Sequence, residues 1–155
     1  MVPGGGLADP QLRPARSRFL GCMEFDDIEH LVRETLALTG DFAVSKQLDR
    51  RYLSLTITAP MAAKNVGARQ GRVQARIWTS GVEAFFLVVD ERFDFKEFDW
   101  ELEGQADIIR RMTRLAIAYL QGHGVEGESK RTFGRRRQHL EIELDGETYR
   151  FMSKS

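Results

Sequence analysis

At 155 residues the chain is sized for one domain with a real core. Hydrophobic residues at 42% and charged residues at 30% suit a soluble globular protein, and a formal net charge of zero gives no global pull toward nucleic acid or acidic membranes. A single cysteine, Cys22, excludes an intramolecular disulfide and a cysteine-cluster zinc site, so a cytoplasmic setting is expected.

Charge is segregated along the chain. Arg50 to Val82 holds six basic residues and no acid, whereas Asp90 to Asp107 holds eight acids against Arg92 and Lys96. Residues 1–22 read as a disordered leader, rich in glycine and proline, with Arg13, Arg16 and Arg18 as a basic arm. The leader lacks the apolar core of a signal peptide, and no run approaches transmembrane length, so no membrane partner is expected. Residues 23–155 are expected to form a single domain.

Asp26 to Thr39 reads as a first helix. Asp26 is the expected N-cap, with Glu29 completing a capping box and Gly40 stopping the helix. The hydrophobic period then drops to two. Phe42 to Gln47 and Tyr52 to Thr58 read as strands, the second alternating Leu53, Leu55 and Ile57 with Tyr52, Ser54, Thr56 and Thr58. Met61 to Gly71 is a long loop carrying Lys64 and Arg69 without P-loop spacing.

Arg72 to Thr79 is the next strand. Val73, Ala75 and Ile77 take one face; Arg72, Gln74, Arg76 and Trp78 take the other. Val82 to Val89 is apolar on both faces, as in a strand covered twice. The expected covers are a helix on one side and a second subunit on the other, which makes a homodimer one expectation. Asp90 to Trp100 interleaves acids with Phe93, Phe95, Phe98 and Trp100 and reads as an aromatic connection.

Leu102 to Gln121 is a long amphipathic helix. Leu102, Ala106, Ile109, Met112, Ala116 and Leu120 form its stripe, and Gly122 ends it. Val125 to Phe133 is a weak strand, followed by a basic turn at 134–137. Gln138 to Leu144 and Glu147 to Met152 form a hairpin around Asp145-Gly146. The order α-β-β-β-β-α-β-β-β gives an α+β fold: a mainly antiparallel sheet with two helices packed on one face.

No residue set assembles an obvious catalytic or metal site. His30, His123 and His139 are not in metal-ligand spacing, there is no nucleophile-elbow motif, and no cofactor is expected. The leading expectation is therefore a non-catalytic macromolecule-binding protein of adaptor, chaperone-like or inhibitor type. It would engage another protein through the open sheet face and basic loops, with Lys64, Arg69, Arg72, Arg76, Trp78 and Tyr52 as contacts. A first alternative is nucleic-acid binding through Lys130, Arg131, Arg135, Arg136 and Arg137. A second is a small-molecule or hydrolytic pocket between the sheet and the long helix.

Overall fold

The computed structural model describes residues 21–59, 74–81, 83–130 and 136–154. Most of the expected leader and the whole 61–71 loop lie outside them. Among the described residues the elements are α1 (Phe25–Ala37), β1 (Ala43–Leu48), β2 (Leu53–Thr58), β3 (Gln74–Thr79), β4 (Ala84–Val89), β5 (Phe93–Phe98), α2 (Leu102–Leu120), β6 (Val125–Lys130), β7 (Arg136–Leu144) and β8 (Glu147–Ser153). The strands form one antiparallel sheet in the order β1-β2-β3-β4-β5-β8-β7-β6. This is the expected α+β class. After β5, helix α2 carries the chain to the far edge, and β7 and β8 step back to meet β5.

Alternation decides which side of each strand is buried. Leu53, Leu55 and Ile57 of β2, Ala75 and Ile77 of β3, and Phe85, Leu87 and Val89 of β4 meet the helices. From α1 come Ile28, Val32 and Leu36; from α2 come Ile109, Met112, Ala116 and Leu120, all four fully buried. Burying each of the Val, Leu, Ile, Phe or Met side chains among these contributes about 1.5–3 kcal/mol. Gln105 is also fully buried on α2. Its amide donates to the carbonyls of Gly21 and Asp99, and its oxygen accepts from the Met23 N–H at 3.0 Å. One side chain thereby ties the segment before α1 to the start of α2.

Two local expectations are corrected. The N-cap of α1 is Glu24, not Asp26, and it caps without a side-chain bond. Glu29 does not close a capping box; it bonds Arg33 and Lys46, both at 2.9 Å. Asp26 and Asp27 sit in the first turn, where negative charge suits the helix dipole.

The second correction concerns Asp90 to Trp100, which contains β5 and is not merely a connection. The β4–β5 turn runs through Asp90 and Glu91, both left-handed at φ 50° and 52°. Turns of that kind usually hold asparagine or aspartate followed by glycine; Asp90 fits the first position but Glu91 does not fit the second, so the turn signal in the sequence is incomplete. Tertiary bonds hold it instead. The buried Tyr119 hydroxyl donates to Asp90 at 2.6 Å, and Asp90 accepts the Gln74 N–H at 3.1 Å. Phe93 enters the core, while Phe98 and Trp100 are about 60% exposed. By contrast, Asp145-Gly146 turns β7 into β8 as expected, at φ 54° and 82°.

Candidate functional site

The helix-free face of the sheet is organised in rows set by register. One row runs Gln47, Ser54, Trp78, Phe86, Lys96 across β1 to β5. The next runs Thr56, Arg76, Val88, Asp94, Met152 across β2 to β5 and into β8. Trp78 and Phe86 stack with centroids 4.2 Å apart and planes 11° from parallel. Val88 is only 3% exposed although neither helix covers this side. A strand with large apolar residues on both faces thus has its second face partly covered by neighbours on the sheet itself.

Gln47, Ser54, Trp78 and Phe86 of the first row and Arg76, Val88 and Asp94 of the second line an open depression of about 650 Å³. Arg51, Tyr52, Ser54 and Lys154 contribute to its walls, with Trp78, Phe86 and Val88 as apolar surface. Arg76 is not a free cation. Its guanidinium donates twice to Glu91 at 2.9 Å, and Lys154 reaches the same carboxylate at 3.2 Å. The Arg76 hydrogen bond, with a smaller contribution from Lys154, holds the Glu91 carboxyl below its ordinary range against the opposing effect of burial.

Of the expected contacts, Tyr52, Arg76 and Trp78 come together in this depression. Lys64, Arg69 and Arg72 lie outside the described residues. Phe86, Val88, Glu91 and Lys154 were not named from sequence. The two-faced run from Ala84 to Val89 signalled the first two, but only the register shows that Phe86 stacks on Trp78.

The basic segment is only partly described. Arg131 and Arg135 lie outside the described residues, Lys130 is placed as backbone in β6, and Arg136 pairs with Glu128 at 3.2 Å. Arg137 is half-buried on β7. Under the middle of α2 the space against the sheet is occupied by fully buried Ile109, Met112 and Ala116, and His123 is exposed. The Cys22 thiol donates to the Gly81 carbonyl at 2.6 Å, and burial pushes its pKa up, away from thiolate reactivity. Among the described residues no cluster of three or more His, Cys, Asp or Glu could hold a metal ion, and no helix is long and apolar enough to cross a membrane.

Comparison with protein-family models, with curated proteins and with solved structures finds no match to this chain.

Proposed function

We propose that the chain is a non-catalytic protein-binding domain that docks its partner on the helix-free sheet face. The observation that carries this reading is the Trp78–Phe86 stack, half-exposed in an open depression whose rim is charged by Arg51, Asp94 and Lys154. Rigid aromatics surrounded by charged residues are the usual anchors of protein interfaces. An open depression of this breadth suits a macromolecule better than an enclosed small ligand.

The test is affinity purification from the native host with Trp78→Ser and Phe86→Ser in parallel with the parent chain. A partner held by the parent and lost from both folded variants supports the reading. A partner retained by both places the binding surface elsewhere. A second substitution set, Arg136→Ala with Arg137→Ala, assays the nucleic-acid alternative by gel shift at low salt; no shift with the parent chain removes it.

A further inference from the structure

The ladder between β5 and β8 is short. It pairs Phe93 with Ser153 and Asp94 with Met152, and there it stops. β5 continues to Phe98 and β8 extends back to Glu147, so the two strands part and leave a split in the sheet. A physical cause lies in the next position on the helix-free face. Continuing the register would set Lys96 opposite Arg150, and like charges directly opposed disfavour pairing.

Backbone directions follow from alternation. The Asp99 N–H donates to Glu83 beyond β4, so odd-numbered β5 residues point toward β4. The Lys154 N–H donates to the Arg92 carbonyl, so even-numbered residues point the other way. Lys96 and Phe98 therefore turn their N–H and C=O groups into the split. Both residues are exposed. Phe98 and Trp100, in edge-to-face contact at 5.7 Å, stand beside the unpaired edge on the helix-free face.

Helix α2 closes the split from behind. Arg111 grips Glu97 of β5 at 2.8 Å, and Arg114, one turn on, grips Asp145 of the β7–β8 turn at 2.6 Å. A cavity of about 450 Å³ lies between those anchors, lined in part by Arg110, Glu147 and Tyr149. At the closed end Phe95 touches Tyr149 and Phe151.

We propose that this split receives one extended peptide segment of a partner protein, which adds as a strand along β5 at Lys96–Phe98. The mode is β-strand addition: the main chain supplies affinity, and alternate side chains supply specificity. On the helix-free face the segment would place an acidic residue against Lys96, which has no carboxylate partner among the described residues. Two positions away it would place an aromatic or branched apolar residue against Phe98 and Trp100. With β8 as the far wall and α2 behind, the free edge of β5 is walled on two sides, which favours a single peptide segment over the edge of a second folded copy. This assignment rests on the proposed docking face and sharpens it, because Lys96 ends the row that holds Trp78 and Phe86.

Amide hydrogen exchange tests the premise without a ligand. Lys96 and Phe98 should exchange much faster than Phe95 and Glu97 in the free chain; equal protection of all four overturns the proposal. The probe is a blocked octapeptide of threonines with one aspartate and one phenylalanine two positions apart. It should slow exchange at Lys96 and Phe98 by about tenfold when nearly saturating, the response expected from a strand addition worth one decade in opening equilibrium. The same peptide N-methylated on alternate amides should have no effect; equal slowing by both, or by neither, overturns the proposal. Protection that rises with protein concentration alone would assign the split to a second copy and also overturn it. In the affinity purification, Lys96→Pro removes an edge N–H without touching the bonds to β4. A folded Lys96→Pro chain that keeps a partner lost by Trp78→Ser defeats the strand addition while leaving the docking face standing.

Discussion

The two faces of β2 to β5 differ by a single residue step. Leu55, Ile77, Leu87 and Phe95 form a row under the helices; Ser54, Trp78, Phe86 and Lys96 form the adjacent row on the opposite side. Leu55 and Leu87 are fully buried and Ile77 is 1% exposed, whereas Trp78 and Phe86 stay half-exposed and Lys96 is exposed. At the centre both rows hold large apolar pairs, Ile77 with Leu87 and Trp78 with Phe86, so apolar size does not separate them there. Cover does: a helix excludes water from one row, and only neighbouring side chains shelter the other. The first row should govern stability, and the second should govern recognition.

The sharpest way to break that contrast is to truncate both rows. Leu87→Ala removes a fully buried side chain from under α2 and should cost about 2–5 kcal/mol in denaturant unfolding. Phe86→Ala loses mainly the stack with Trp78 and should cost about 0.5–1.5 kcal/mol plus a partial burial contribution. If Phe86→Ala proves as costly as Leu87→Ala, the helix-free face is a second core and not a docking surface.

A smaller effect is expected at the junction between helix and turn. Tyr119→Phe keeps the buried ring and deletes the bond to Asp90. The left-handed Asp90–Glu91 turn then loses one of its tertiary supports, and stability should fall by about 1–2 kcal/mol. A neutral substitution would mean that the turn holds its strained backbone without the helix.

The alternation that separates the two faces was legible in the sequence, and so were α2, the Asp145-Gly146 hairpin and the placing of Arg76 and Trp78 opposite Ile77. Each rests on a local period or a local turn signal. What escaped depends on contacts distant in the chain. β5 was hidden because its turn uses Asp90 and Glu91, stabilised by Tyr119, Gln74, Arg76 and Lys154. Gln105 is fully buried on α2, and its clamp on Gly21, Met23 and Asp99 has no sequence signature. The parting of β5 from β8 was equally invisible, since it needs a register between strands separated by α2, β6 and β7.

The smallest predicted effect concerns how the helix-free face holds its charges. Glu91 binds Arg76 and Lys154 at the rim of the depression, and its folded pKa is lowered, first by the Arg76 hydrogen bond. A carboxylate with a depressed folded pKa adds stability that is present above its unfolded value and lost as pH falls through the folded one. The loss therefore falls in the acid range below the ordinary glutamate value of 4.5. Glu91 is 43% exposed, so solvent screening holds the contribution to about 0.2–1 kcal/mol. Unfolding of the parent chain and of Glu91→Gln should be compared at about pH 6 and about pH 3, on either side of the carboxylate range. The parent should lead at the higher pH and lose that lead at the lower. An equal pH response from both chains would show that the Arg76–Glu91–Lys154 cluster adds no net stability. Its position at the rim would then be explained by preorganising Arg76 beside Trp78 for a partner, which puts the cluster wholly on the recognition side of the contrast between the two faces.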